Sequence, residues 1–121
     1  METEFDLDDL IVMAKKLSPS EAAFKLVLAE LLICSHFNQL ASFDGGFVGW
    51  LRWPDSMKES IKRGEYPLDK LDKNGSILQI VSLYAPRLAI KATRWLTRIP
   101  GVKLVCGNTA NRWREVICPS Y

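Results

Sequence analysis

The feature that most constrains the fold is an apolar run followed, after one proline, by an amphipathic stretch. Residues 77–84 read ILQIVSLY and are apolar at nearly every position, which is typical of a strand buried on both faces. After Pro86 the apolar residues recur at helical spacing, and Pro100 with Gly101 ends the pattern. A central strand that feeds a helix and then a returning strand predicts an open sheet covered by helices. The helical stripe consists of Leu88, Ala92, Trp95, Leu96 and Ile99.

Two helices are predicted before this sheet. Residues 5–17 place apolar side chains at helical spacing, with aspartates at the start and lysines at the end, as the helix dipole favours. The sequence SPSE then predicts a capping box, with Ser18 as N-cap, Pro19 at the first helical position and Glu21 at the third. A second helix begins there. Its predicted apolar stripe is Phe24, Val27, Leu28, Leu31 and Leu32.

The remaining segments predict a hairpin, a short helix and two final strands. Residues 44–46, DGG, are a turn signal between two β-prone runs, and Pro54 ends the second run. Ser56 and Glu59 suggest a second capping box, and Gly64 suggests the end of the helix that it opens. The segments VKLVCGN and RWREVIC read as strands. The predicted order is α-α-β-β-α-β-α-β-β, an α+β class with an open mixed sheet and helices on both faces.

Composition bounds the class of protein. The 121 residues, 48% hydrophobic and 25% charged, predict one domain over residues 1–121. Lys and Arg number 16 against 14 Asp and Glu, so the overall charge demands neither a nucleic acid nor a membrane partner. The acidic N-terminus does not read as a signal peptide, and we expect a soluble cytoplasmic protein. Cys34, Cys106 and Cys118 lack metal-ligand spacing, so we expect reduced thiols and no metal site.

The segments FDGGFVGWLRWPDS, NGSILQIVSLYAP, RWLTRIPGVKLVCG and RWREV, taken in order, carry a resemblance to a known family. They resemble the toxin-activating lysine acyltransferases, bacterial GNAT-like enzymes that fatty-acylate lysines of RTX toxins. The likeness covers most of residues 18–117 and rests on order and spacing: a turn, a strand ending in Trp, a short helix, and a turn one strand length before Ala-Pro. It implies a GNAT-like fold.

The resemblance also implies catalytic positions, and both are changed here. The family's histidine follows a Ser-Pro, where this chain has Glu21, and its aspartate stands three positions before Ala-Pro, where this chain has Ser82. Glu21 could act as a general base or only cap its helix. Ser82 could position a donor or a water, or bond to the backbone. The single histidine, His36, could be a base, or a structural residue at a helix end.

The same resemblance implies where an acyl donor would enter, beside the central strand and against the start of the next helix. The residues implied are Tyr84, Ala85, Arg87 and Leu88. A helix N-terminus offers unpaired N–H groups to phosphate or thioester oxygens. The segment APRLAIKA contains no glycine, which disfavours tight acyl-CoA binding and predicts little or no acetyl-CoA turnover. Acyl-ACP, with the donor on an acyl carrier protein, remains compatible.

A basic stripe runs along the same predicted helix. It could dock an acidic carrier protein, another acidic protein or a phosphate backbone, or it could be a solvated helix face. Nucleic acid ranks last, because at least one of Trp50 and Trp53 should lie in the core. Two functions stay open: an N-acyltransferase acting on a protein amine, and a catalytically degenerate GNAT-like binding module, accessory or phage-encoded, with a homodimer as one option. The stripe comprises Arg87, Lys91, Arg94 and Arg98.

Overall fold

The computed structural model describes residues 4–18, 20–43, 45–85, 89–109 and 112–118. Within these ranges the helices and strands follow the predicted order. The helices are α1 (Leu7–Leu17), α2 (Glu21–His36), α3 (Lys58–Lys62) and α4 (Ala89–Thr97). The strands are β1 (Leu40–Phe43), β2 (Gly46–Trp53), β3 (Ile77–Tyr84), β4 (Leu104–Thr109) and β5 (Arg112–Ile117). No helix in the described part of the chain is long and apolar enough to cross a membrane.

The five strands form one sheet in the order β1-β2-β3-β4-β5, so β3 is the middle strand, as predicted. β1 pairs antiparallel with β2, β3 pairs parallel with β4, and β4 pairs antiparallel with β5. The parallel pair requires a crossover connection, which contains α4. The α+β class and the open mixed sheet are therefore confirmed. That helices pack on both faces stays a prediction.

The chain divides into two compact units, and each contains part of β2 and part of β3. Unit 1 comprises Met1–Trp50 and Val81–Ala89, and unit 2 comprises Leu51–Ile80 and Ile90–Tyr121. The prediction of one domain over residues 1–121 stays a prediction. We describe each unit by itself.

In unit 1 the helix starts differ in detail from the prediction. Asp6 caps α1, because its carboxylate accepts from the backbone N–H of Asp9 at 2.8 Å and Asp9 reciprocates. The predicted capping box at Ser18 and Glu21 is wrong. Ser20 is the N-cap of α2, and its hydroxyl accepts from the backbone N–H of Ala23 at 3.3 Å. Ser18 instead ends α1, so it is not available to begin α2.

The apolar stripe of α2 is only partly buried. Leu31 is fully buried, as is Cys34 three residues later, whereas Leu32 is 44% exposed, contrary to the prediction. Adjacent helical residues point about 100° apart, so a helix that buries Leu31 turns Leu32 away from the core. The predicted hairpin is confirmed, since Phe43 pairs with Gly46 and Gly45 has a φ of 84° that suits glycine.

In unit 2, two buried polar side chains of the sheet bond within the unit. Trp53 is fully buried, and its indole Nε1–H donates to Oε1 of Gln79 at 3.0 Å. Arg52 is 7% exposed and donates from Nε to the carbonyl of Gly75 at 2.9 Å and from Nη2 to that of Pro100 at 3.3 Å. These bonds join β2 to the start of β3 and to the segment after α4.

The short helix of unit 2 starts later than predicted, and its proposed capping box is wrong. A 3-10 turn at Asp55–Met57 precedes α3, and Met57 makes no side-chain cap bond. Ser56 lies inside that turn. Asp55 accepts a hydrogen bond from the hydroxyl of Ser76, which holds the turn against the start of β3. Gly64, with a φ of 83°, follows the helix as predicted.

The helix α4 shows the predicted division into two faces. Its inner side includes Ala92 and Leu96, which are buried, and Trp95, which is half-buried. The basic side chains are exposed, although Arg98 lies just beyond the last helical residue. The described members of the stripe are Lys91, Arg94 and Arg98.

Candidate functional site

The end of β3 carries a buried hydroxyl whose hydrogen-bonding capacity is unused. Ser82 is 5% exposed, and its Oγ has no hydrogen-bond partner among the residues that the structure describes. Leaving a buried polar group unsatisfied costs about 1–3 kcal/mol. Buried hydroxyls in native proteins are nearly always bonded, so this one needs an explanation. A ligand oxygen that arrives at this position would supply the missing partner.

The pairing of β3 changes along its length. The ladder with β4 runs from Ile77, opposite Leu104, to Ile80, opposite Gly107. The last four residues of β3, Val81–Tyr84, lie beyond that ladder and belong to unit 1. Ser82 is the second of these four. The hydroxyl is therefore on the part of the strand that follows the parallel pairing, toward its carboxyl end, where ligands commonly bind in open sheets with crossover helices.

Two aromatic rings lie at this end of β3. Tyr84 stacks on Phe47 of β2, with ring centroids 5.7 Å apart and planes 25° from parallel. The ammonium group of Lys16, from α1, lies 5.6 Å from the centroid of the Tyr84 ring, within cation–π range. A side chain at Gly46 would collide with the carbonyl of Tyr84, so only glycine allows this close approach. The strand end is thus held in place by α1 and β2.

The other two predicted catalytic residues lie at opposite ends of one helix. Glu21 is the first residue of α2 and His36 the last, and both are exposed. A helix of 16 residues separates its ends by about 22 Å, at 1.5 Å per residue. The structure therefore does not bring Glu21 and His36 together, and they cannot act on the same atom. The ring of His36 contacts Phe37 edge-on, with centroids 5.1 Å apart.

The predicted donor-binding residues are described only in part. Tyr84 and Ala85 are half-buried at the end of β3, as described above for the tyrosine ring. Arg87 and Leu88 lie outside the described residues. The prediction that Arg87 belongs to the basic stripe therefore stays a prediction.

Two of the thiols are unsuited to nucleophilic chemistry. Burial, with a smaller contribution from the charge of Glu30, raises the pKa of Cys34 to about 12. Burial, with the charge of Glu115, raises the pKa of Cys106 to about 12. Both thiols are thus protonated at neutral pH and behave as core residues. Cys118 is half-buried. Within the described residues, no group of His, Cys, Asp or Glu could hold a metal ion.

Sequence reasoning named Ser82 and Tyr84 but missed Phe47 and Lys16. Phe47 was placed in the hairpin, but nothing in its local pattern says which strand β2 joins. Its partner depends on the strand order, which places β2 beside β3. Lys16 was assigned only to the end of α1, where lysine suits the helix dipole.

Comparisons with known proteins give one structural likeness. No protein-family model matches the chain, and no curated protein matches it. A solved structure described as "GphF GNAT-like decarboxylase in complex with isobutyryl-CoA" is similar at a TM-score of 0.47 and 16% sequence identity. The match covers 84% of this chain, which spans 60% of that protein's length. The α+β assignment rests on this chain's own strand order and register, and the resemblance to toxin-activating acyltransferases stays a prediction.

Proposed function

We propose that the protein is a GNAT-like domain that binds an acyl thioester at the carboxyl end of β3 and transfers the acyl group to an amine. The observation that carries this proposal is the buried and unpartnered hydroxyl of Ser82. A thioester carbonyl is an acceptor that this O–H can bond. The free protein leaves the hydroxyl unsatisfied and shielded from solvent, so the covering side chains must move aside when the ligand binds, and the hydroxyl then gains its bond.

The surroundings of Ser82 suit the rest of such a ligand. The half-buried ring of Tyr84, stacked on the buried ring of Phe47, offers apolar surface to an acyl chain or to the methylene groups of a pantetheine arm. Lys16 places a positive charge beside those rings, within reach of a phosphate or carboxylate of the donor. The donor is an acyl-CoA or an acyl group on an acyl carrier protein.

The chemistry of transfer is simple. The neutral amine nitrogen attacks the thioester carbonyl, and the carbonyl electron pair moves onto oxygen to give a tetrahedral oxyanion. The Ser82 hydroxyl donates to that oxyanion, which is a stronger acceptor than the ground-state carbonyl, so the bond lowers the barrier. When the carbonyl re-forms, the C–S bond breaks, the amine nitrogen loses its proton and the departing thiolate is protonated.

A base that accepts the amine proton would complete the reaction. Glu21 and His36 are the two residues proposed from the sequence, and the length of α2 allows only one of them to serve. Glu21→Gln keeps the helix cap intact, because Ser20 and not Glu21 makes it. Loss of turnover in Glu21→Gln would identify the glutamate as the base, and loss in His36→Gln would identify the histidine.

Calorimetric titration tests the proposal. We expect a medium-chain acyl-CoA or the same acyl group on acyl carrier protein to bind the wild-type chain. The affinity should fall about fivefold in Ser82→Ala, since one hydrogen bond contributes about 1 kcal/mol. Ser42→Ala, a matched change in strand β1 of the same unit, should leave binding unchanged. Failure of both donors to bind the wild type would refute the proposal.

A second candidate function is favoured by the exposed basic side chains on and just after α4. On this proposal the protein is a GNAT-like module in the cytoplasm that binds an acidic protein without catalysis. Replacing Arg87, Lys91, Arg94 and Arg98 by glutamine should then slow association with that partner, and the loss should shrink at high salt. If neither the fourfold substitution nor high salt alters the rate at which the partner associates, the basic face is not the docking surface.

A further inference from the structure

The helix α2 presents a second stripe of side chains that faces away from its buried side. The members follow one another at intervals of four and three residues in alternation, the spacing of core positions in a coiled coil. Leu26, near the middle, is 71% exposed. Four of the five are exposed, and Ile33 is half-buried. This stripe, which we call the α2 seam, consists of Ala22, Leu26, Ala29, Ile33 and His36.

The seam is not the surface by which α2 joins its own unit. The two buried residues of α2 are Leu31 and Cys34. Leu31 lies five residues after Leu26, or about 140° around the helix at 100° per residue. The inward and outward faces of α2 are both apolar, so the helix resembles one that is covered on two sides. A single exposed leucine is ordinary on a protein surface, so only the continuous stripe, together with the charges beside it, indicates an interaction surface.

Two charges beside the seam indicate what covers it. In the heptad frame set by the stripe, Leu26 and Ile33 occupy a positions, and Ala22 and Ala29 occupy d positions. The two charged residues flank this core, with Lys25 at a g position and Glu30 at an e position. Both charged residues are exposed. If a second α2 lies parallel to the first, Lys25 of each copy stands opposite Glu30 of the other, five residues further along.

An antiparallel arrangement does not use these charges. There g positions face g positions and e positions face e positions, so Lys25 would meet Leu32, and Glu30 would meet Ala23. The charge pattern thus favours a parallel pair of identical helices over an antiparallel one. The alanines at d also allow close approach of the two backbones, while leucine and isoleucine at a fill the space between them.

We infer that the α2 seam is the interface of a parallel homodimer, in which Leu26 and Ile33 form the core and Lys25 pairs with Glu30 of the second copy. The interface is short, because a helix of 16 residues is about 24 Å long. It forms and dissociates reversibly with protein concentration. The inference does not rest on the acyl-binding proposal, since Leu26, Ile33, Lys25 and Glu30 have no part in that proposal; only His36, at the end of the seam, is also a candidate base.

Sedimentation equilibrium over a wide range of protein concentration tests it. Wild type should shift from monomer to dimer, and Leu26→Gln should raise the dissociation constant at least about tenfold, because each dimer loses two buried leucines. Ile90→Gln is the matched control, an equally exposed aliphatic residue at 73% on α4, and should leave the constant unchanged. The inference would be overturned if the wild type is monomeric at every concentration, or if Leu26→Gln leaves the dissociation constant of the dimer unchanged.

A charge exchange tests the parallel arrangement and the identity of the partner. Lys25→Glu and Glu30→Lys should each weaken the dimer, because each places like charges opposite one another. The double variant restores both pairs and should return the dissociation constant to within about threefold of wild type. Two weak single variants whose double variant stays weak would overturn the parallel pairing.

A cross-linking experiment distinguishes a variant that no longer dimerises from one that no longer folds. Ala29 is at a d position, so parallel packing places the two copies of residue 29 side by side. In a Cys118→Ser background, Ala29→Cys should form a disulfide-linked dimer on mild oxidation, and adding Leu26→Gln should suppress it. Cys34 and Cys106 are buried and should not compete. Absence of cross-linking in a variant with unchanged thermal stability would contradict the inference.

Discussion

Buried polar side chains in the two units differ in whether they have hydrogen-bond partners. In unit 2, Arg52 and Gln79 are both buried, and each has hydrogen-bond partners within the unit. In unit 1, Ser82 is buried to a similar degree and its hydroxyl has no partner in the described chain. Satisfied networks rigidify a fold, whereas an unsatisfied group costs stability and persists where something else requires it. The contrast distinguishes the satisfied polar groups of unit 2 from the position in unit 1 that we propose binds a ligand.

The units also differ in charge. Unit 1 contains eight Asp and Glu against four Lys and Arg, while unit 2 contains twelve Lys and Arg against six Asp and Glu. The formal net charge of +2 conceals this division. The local field, rather than the total charge, governs association, so the basic unit 2 is where we expect an acidic partner to bind on the second proposal. This supports the second candidate function, and it bears on the first only where the donor is carried by an acidic acyl carrier protein.

The largest expected effect breaks the scaffold. Trp53→Ala should lower the free energy of unfolding by about 3–5 kcal/mol, because the ring is fully buried and its loss also leaves the Gln79 amide unpaired. Trp95→Ala is the comparison within unit 2. Trp95 is only half-buried, so we expect a loss of about 1–2 kcal/mol. Urea unfolding measures both losses. Equal losses would show that the difference in burial does not determine how much each tryptophan contributes to the free energy of unfolding.

A pair of substitutions sharpens the contrast in polar groups. Gln79→Leu leaves the buried indole N–H of Trp53 without an acceptor and should cost about 1–3 kcal/mol. Ser82→Ala removes a hydroxyl that has no partner within the described ranges and should stabilise the free protein by up to about 1 kcal/mol. The two changes should have opposite signs in the same unfolding assay. If Ser82→Ala destabilises as Gln79→Leu does, the hydroxyl has a structural role.

How far these features could be foreseen depends on their range in sequence. The helices, the hairpin and the strand at residues 77–84 follow from local periodicity, and they were predicted. The start of α2 was misplaced because two serines two residues apart can both cap, and the choice depended on where α1 ended. The pairing of Phe47 with Tyr84 depends on strand order, which local patterns do not encode. Ser82 was singled out through a family resemblance, but its missing partner is a property of the folded chain.

The smallest expected effect concerns Glu30, in unit 1. Although the Glu30 side chain is exposed, neighbouring atoms partly desolvate its carboxyl and raise its pKa, so the folded state holds that proton at a pH where the unfolded chain has released it. Stability associated with Glu30 is therefore full below its ordinary pKa and falls as the pH rises through the raised value. Glu30→Gln should gain a little stability at neutral pH and none at strongly acidic pH. Thermal melts at low protein concentration, where dimers are absent, would measure this.

The most direct test of the binding position compares an acyl thioester with the matching thioether, which lacks the carbonyl oxygen, on wild type and on Ser82→Ala. The wild type should prefer the thioester by about fivefold, the contribution of one hydrogen bond of about 1 kcal/mol, and Ser82→Ala should bind the two ligands alike. Calorimetry gives all four affinities. A preference for the thioester that survives in Ser82→Ala, or no preference in the wild type, would contradict the claim that the buried hydroxyl receives a ligand carbonyl.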